Sequence, residues 1–224
     1  MQLEGLPANR KVCVLLSGGS DSALLLRLAL DNGLEVTPVH VASGFIWEAA
    51  EKYWLDRLVA ALGSPRIRPV CAVPIELSAL LDKNWAFTGK DTPDAVSADE
   101  AVFIPGRNLL LFSLAALACH RDRLGEIWIG SLKQNPFSDT TDRFFRDFEA
   151  SARSGLEIEV KIRAPFRDLE KSDLLKRYPD FPYELTFSCI RPQGMQHCGQ
   201  CNKCAERQSH LKVAGIADNT VYIG

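Results

Sequence analysis

The run KVCVLL (11–16) is short and aliphatic, with the character of a buried strand. It passes directly into Ser17-Gly18-Gly19-Ser20-Asp21-Ser22 and then into SALLLRLALDNG (22–33), a helical stretch that stops at Gly33. Strand- and helix-like segments alternate from there. EVTPVHVAS (35–43) predicts a strand, weakened locally by Pro38, and 47–63 predicts a helix ending in Gly63. RIRPVCAVPI (66–75) predicts a third strand, and 78–104 reads as a long excursion near a site or a flexible segment. A buried helix is expected over 106–125, a strand over 126–131 and a helix over 138–155 with Ser138 or Asp139 as N-cap. A last strand over 158–165 and a short helix over 169–178 precede an irregular tail that regains order at AERQSHLKVAG. Strands separated by helices imply an α/β fold, a parallel sheet flanked by helices, with ligands at the carboxyl ends of the strands.

The turn at 17–22 sits at that carboxyl edge. Gly18 and Gly19 can take positive φ and let a ligand approach the backbone. Successive N–H groups there form an anion-binding nest, reinforced by the start of the following helix. Ser17, Ser20 and Ser22 add hydroxyl donors. Asp21 suits a divalent cation or a cap on helical N–H groups. No Gly-Lys-Ser/Thr and no Gly-x-Gly-x-x-Gly is present at the turn, so it is neither a Walker A loop nor a dinucleotide fingerprint. A bare Gly-Gly turn would more often be structural. The whole SGGSDS after a first strand argues for a nucleotide site.

Seven cysteines occur in the 224 residues, and four of them lie in CIRPQGMQHCGQCNKC (189–204). Their spacing, Cys-x8-Cys-x2-Cys-x2-Cys, suits a closed tetrahedral zinc site at Cys189, Cys198, Cys201 and Cys204. Such a site has no open coordination position and is structural. An iron–sulfur cluster is the competing occupant. His197 is expected at the surface, and Phe187 and Trp128 in the core. The odd count and the clustering argue against a disulfide framework.

The formal net charge of −2 gives no broad pull toward nucleic acid or an anionic membrane. No stretch is apolar enough to span a bilayer, and MQLEGLPANRK lacks the apolar core of a signal peptide, so a cytoplasmic protein is expected. Two pieces are expected: 1–183 as the α/β domain and 184–224 as a small zinc-binding lobe packed on it.

Three further segments carry polar groups toward the expected site. Pro105-Gly106-Arg107-Asn108 makes a tight turn before a Leu-rich helix. Arg107 offers a planar fork for phosphate or carboxylate, and Asn108 could cap the helix. Asp139, in the loop after the fourth strand, could orient a polar substrate or cap a helix. Asn135 and Asp142 are weaker candidates. Lys171, in DLEKSDLL, read alone is a solvated helix lysine.

SGGSDS resembles the pyrophosphate-binding loop of the ATP pyrophosphatases. With PGRN, the Asp139 loop, APFRDLEKSDLL, ELTFSC and Cys-x2-Cys-x2-Cys, nearly the whole chain is similar to the 7-cyano-7-deazaguanine synthase family of the queuosine precursor pathway. The resemblance implies an adenine nucleotide alpha hydrolase-like fold and an ATP-dependent carbon–nitrogen ligase. Its substrates would be ATP with Mg²⁺, ammonia and 7-carboxy-7-deazaguanine, and its expected state a homodimer. It implies that 17–22 and Mg²⁺ hold pyrophosphate. Lys171, Arg107 and Asp21 would serve the reaction, and Arg107, Asn108 and Asp139 would bind the deazaguanine. The chain departs from the family at VASGFIWE, where a Tyr-Gly-Gln stretch is usual. It departs again at Pro136-Phe137-Ser138-Asp139, where Gly-Tyr-Pro-Asp is usual, and around Trp85 and Thr88. These departures keep open an enzyme that stops at the amide or passes the acyl group to another amine, even one on a protein. A tRNA sulfurtransferase is a further alternative, and a nucleotide sensor without turnover another.

Overall fold

The computed structural model describes residues 1–224 apart from Gln2 and Gln134. Five parallel strands form one sheet in the order β3-β2-β1-β4-β5. They are β1 (Lys11–Leu15), β2 (Glu35–Ala42), β3 (Cys71–Pro74), β4 (Glu126–Trp128) and β5 (Lys161–Arg163). Each is shorter than its sequence pattern. The helices are α1 (Ser20–Asp31), α2 (Glu48–Leu62), α3 (Ser78–Leu81), α4 (Trp85–Thr88), α5 (Arg107–Asp122), α6 (Asp142–Leu156), α7 (Lys171–Lys176) and α8 (Asn202–Ala214). The chain leaves β1 toward β2 on one side, and β4 lies on the other. The crevice where the strand order reverses therefore opens directly above the 17–22 turn.

The two faces of the sheet follow from the period of two along β1. Val12 and Val14 pack with Leu24, Leu28, Leu55 and Leu174 under the face covered by α1, α2 and α7. Cys13 and Leu15 pack with Phe112, Phe145 and Phe148 from α5 and α6. Pro38 lies inside β2 without leaving a ladder bond unmade. Val36 turns its N–H and C=O toward residues 66 and 68, so Pro38, two residues on, faces the same side. The bridge there is Val36 with Ile67, and β3 resumes only at Val39 with Cys71. Proline occupies the gap between them.

Two helix caps differ from those the sequence suggests. Ser138–Thr140 forms a separate 3-10 turn, and the cap of α6 is Thr141, whose Oγ1 accepts from Phe144 N at 3.2 Å. Neither Ser138 nor Asp139 is the N-cap. The Asp139 side chain is engaged elsewhere. Asn108 does not cap α5 either, because Gly106 in a left-handed conformation is the N-cap and Asn108 already lies within the helix.

Gly130, just beyond β4, is required by close approach. A Cβ there would sit 3.0 Å from Asp21 C and 3.1 Å from Ser22 N, both backbone. Gly130→Ala is expected to push the start of α1 away from β4. The expected cost is about 1–3 kcal/mol, read as a lower denaturant midpoint.

Candidate active site and metal centre

The 17–22 turn leaves β1 and rises into α1 with its backbone held open. Gly18 has φ 88°, and a Cβ there would meet Leu55 Cβ at 3.4 Å and Glu51 O at 3.6 Å. Ser17 Oγ accepts from Gly19 N at 3.3 Å and lies 3.2 Å from Ser22 Oγ, which donates to Gly19 O at 3.0 Å. These bonds shape the turn from inside. Gly19, the N-cap residue, offers no side chain to the first N–H groups of α1. Those groups stay available to an anion, together with the positive end of the helix.

Lys171, the first residue of α7, reaches back to this turn. Its Nζ lies 2.7 Å from Asp21 Oδ1 and 3.7 Å from Glu206 Oε1 on α8. Lys203, also on α8, pairs with Glu206 Oε2 at 2.6 Å. Burial disfavours the Lys171 ammonium, yet Asp21 and Glu206 outweigh it and hold the group above its ordinary range. Burial likewise acts against the Glu206 carboxylate, and Lys171 and Lys203 overcome it and keep its pKa low. Two lysines and two carboxylates thus alternate at the mouth of the turn.

A cavity of about 300 Å³ opens on this cluster, lined by Ser17, Gly19, Asp21 and Lys171 and by Arg107 from α5. Trp47, Trp85 and Phe187 supply its apolar walls. A second cavity of about 220 Å³ runs from the turn along the ends of β1 and β2, lined by Leu15, Val39, Val41 and Ile129 with Arg107 and Asn108 at its border. Asp139 lies outside both. Its carboxylate accepts from Asn108 Nδ2 at 3.0 Å and faces an adjoining hollow of about 140 Å³ that shares Arg107 and Asn108. Arg107 is therefore the residue common to all three spaces, and its guanidinium lies 5.8 Å over the Phe45 ring.

The sequence candidates fall into two linked groups. Ser17, Gly19, Ser20 and Asp21 of the turn meet Lys171 and Arg107 at the first cavity, Ser22 faces the second, Gly18 lines neither, and Asn108 and Asp139 form a pair beside them. Asn135 borders the first cavity and accepts from Thr140 Oγ1 at 3.3 Å. Asp142 instead pairs with Arg167. Glu51, Lys203, Glu206 and Arg207 also line the first cavity and were not singled out. Each sits in a charged helical sequence where a solvated face is the ordinary expectation. No motif marks them.

The four cysteines of the tail converge. The Sγ atoms of Cys189, Cys198, Cys201 and Cys204 all lie within 4.8 Å of one another, and all four residues are buried. Cys189 and Cys201 are 3.9 Å apart at sulfur, and Cys198 and Cys204 are 4.0 Å apart. A tetrahedron with metal–sulfur bonds of about 2.3 Å has edges of about 3.8 Å, so the donor set fits one metal ion. Backbone N–H groups of Cys198 and Cys201 point at Cys189 Sγ and Cys198 Sγ, both at 3.3 Å. His197 is buried rather than exposed. Its Nε2 accepts from Ser188 N at 3.2 Å and its ring packs 4.5 Å from Phe187. Burial pushes the imidazole down to about 3. The apolar neighbours that remove it from water belong to distant segments, which its local sequence does not show. Phe187 and Trp128 are in the core as expected.

The cysteine segment also holds the turn. Phe187 N donates to Gly18 O at 2.9 Å, and Arg207 donates to Thr186 Oγ1 at 2.7 Å and to Tyr183 O at 2.5 Å. ELTFSC thereby bridges the cysteine cluster and the loop.

A family model described as Queuosine biosynthesis protein QueC matches residues 11–215. The chain belongs to the QueC family. Membership makes it an enzyme, and its turn and sheet are those of the PP-loop class. The 7-cyano-7-deazaguanine synthase of Azoarcus sp. (strain BH72) is 32% identical, over 95% of this chain and 96% of that protein. The synthase of Thermoplasma volcanium is 30% identical over 95% and 91%, and that of Nautilia profundicola 29% over 95% and 98%. Among solved structures, a 4-thiouridine synthetase–RNA complex with bound ATP aligns with a TM-score of 0.50 at 15% identity. It covers 92% of this chain and 50% of that one, a likeness of fold alone. No helix among the described residues is long and apolar enough to cross a membrane.

Proposed function

We propose that this QueC family member is a 7-cyano-7-deazaguanine synthase. A carboxylate oxygen of 7-carboxy-7-deazaguanine attacks the α-phosphorus of ATP, and pyrophosphate leaves. Ammonia attacks the acyl carbon of the adenylate, AMP leaves, and loss of a proton gives the amide. The amide oxygen attacks the α-phosphorus of a second ATP and pyrophosphate leaves; loss of AMP and two N–H protons then gives the nitrile. The observation that carries this reading is the meeting of the 17–22 turn, Lys171 and Arg107 at one cavity.

In this reading the turn holds the departing pyrophosphate on its N–H and hydroxyl groups, and the second cavity receives the adenosine. Lys171 and Arg107 offset charge as it develops at phosphorus. Asp21 is the carboxylate at the turn for Mg²⁺, which when bound neutralises phosphate charge. Asp139, steadied by Asn108, accepts hydrogen bonds from the deazaguanine ring. The cysteines hold zinc as a structural ion. Residues 1–183 form the catalytic domain and 184–224 the metal lobe, in a cytoplasmic homodimer. Pyrophosphate release from Mg-ATP that requires 7-carboxy-7-deazaguanine tests the reading. Release without that acid, or none with it, would contradict it.

Asp139→Asn removes the charged acceptor while keeping its shape. The expected result is a KM for the deazaguanine raised about 10- to 100-fold, with the KM for ATP little changed. A matched rise in both would contradict the assignment.

A second reading keeps adenylation and changes the outcome: the enzyme stops at the amide or acylates another amine, including one on a protein. The segment after β2 favours it, because Trp47 and Trp85 form walls of the first cavity where the family's usual Tyr-Gly-Gln stretch is absent.

A further inference from the structure

Formation of the carbon–nitrogen bond needs an unprotonated amine. At neutral pH ammonia is supplied almost wholly as ammonium, so a base must stand near the acyl carbon. Most carboxylates around the first cavity and the hollow beside it are already engaged. Asp21 and Glu206 are paired with Lys171 and Lys203, and Asp139 holds Asn108.

Glu51 differs. It projects from α2 into the junction of the two cavities, and its backbone packs on Gly18 of the turn. Its carboxyl receives no hydrogen bond from the described residues. Arg107 leans over Phe45 and reaches Glu51 only as a neighbouring charge. The other charged groups facing it are Glu48 on its own helix, and Asp21, Lys171, Lys203, Glu206 and Arg207 across the first cavity. His40 borders the second cavity and is held toward its neutral form by burial.

We propose that Glu51 binds ammonium at the junction of the cavities and takes a proton from it, releasing ammonia to the acyl adenylate. An N–H bond breaks and its proton goes to the Glu51 carboxylate. The freed electron pair forms the C–N bond, the acyl C–O bond breaks, and AMP departs with the electron pair of that C–O bond. The remaining proton leaves nitrogen as the amide forms. Burial raises Glu51 to about 8, with Arg107 opposing and Glu48 adding. At neutral pH the carboxylate is therefore the minor form, which a bound ammonium favours by its charge, and once formed it is a far stronger base than an ordinary glutamate. This inference rests on the amide-forming reaction proposed above.

The test compares wild type, Glu51→Gln and Glu51→Asp with ammonium and with hydroxylamine, which is unprotonated at neutral pH and needs no base. Substrate-dependent ATP–pyrophosphate exchange follows the adenylation step separately. In Glu51→Gln, ammonium-dependent product is expected to fall about 100-fold or more, and exchange by less than about 10-fold. Hydroxamate formation should stay within about 10-fold of wild type, and Glu51→Asp should recover part of the ammonium rate. Unchanged ammonium turnover in Glu51→Gln, or equal losses with ammonium and hydroxylamine, would overturn the role of Glu51 alone. Absence of exchange in the wild type would overturn the adenylation reading, and this inference with it.

Discussion

Lys171→Ala is expected to lower substrate-dependent pyrophosphate release by about 100-fold or more, the scale seen when one preorganised donor to a developing anion is removed. The lysine side chain is only 12% exposed and is held by Asp21 and Glu206. Removing it strips the site of a cation and also leaves those two carboxylates facing the incoming triphosphate. Both effects oppose adenylation. The folded protein suffers as well, because breaking a buried ion pair from one side costs about 3–5 kcal/mol. Adding Asp21→Asn to Lys171→Ala should return part of the thermal stability without returning the rate. Equal recovery of both would make Lys171 a stabilising residue only. The raised pKa of Lys171 also has a sign. Its contribution is fully present below the unfolded value near 10.5 and is lost only as pH rises through the higher folded value. No loss of activity from this lysine is expected across the neutral range.

Metal removal should have the second large effect. A structural zinc site in small metal-binding peptides carries about 10–16 kcal/mol of apparent binding free energy, comparable with the whole stability of a domain. Here the cysteines share one apolar cluster with Phe45, Trp47, Ala86 and Phe187. Phe187 in turn holds Gly18 through its N–H. Chelation, or Cys201→Ser, is therefore expected to lower the thermal midpoint sharply and weaken ATP binding in step. Loss of the metal with the midpoint unmoved would show that packing alone holds the tail. Elemental analysis is expected to give one zinc per chain, and stoichiometric iron would overturn the zinc assignment.

Much of the fold was legible because its local signals agree. The first strand is a short apolar run, and most helices end at a chain-reversing residue such as Gly63, so the alternation itself points to parallel pairing. The 17–22 turn and the four cysteines were legible because both are contiguous in sequence. Boundaries and caps were less so. Asp139 looked like a cap because capping and substrate-facing carboxylates share one residue type, and only the fold brings Asn108 to it. His197 looked exposed because its burial depends on Phe187 and Tyr222, which lie elsewhere in the chain. Glu51, Lys203 and Glu206 stayed hidden for the same reason. A charged residue on a helix acquires chemistry only when packing turns it toward a cavity.

The central claim is that the chain converts a deazaguanine carboxylate to its nitrile at the expense of ATP. The most direct measurement is the mass of the product after incubation with Mg-ATP, ammonia and 7-carboxy-7-deazaguanine. The account predicts 7-cyano-7-deazaguanine, with the amide as a transient species and AMP and pyrophosphate as co-products. A product that stops at the amide or is attached to another amine would favour the second reading. Unconsumed acid in the presence of intact, metal-loaded protein would contradict the account.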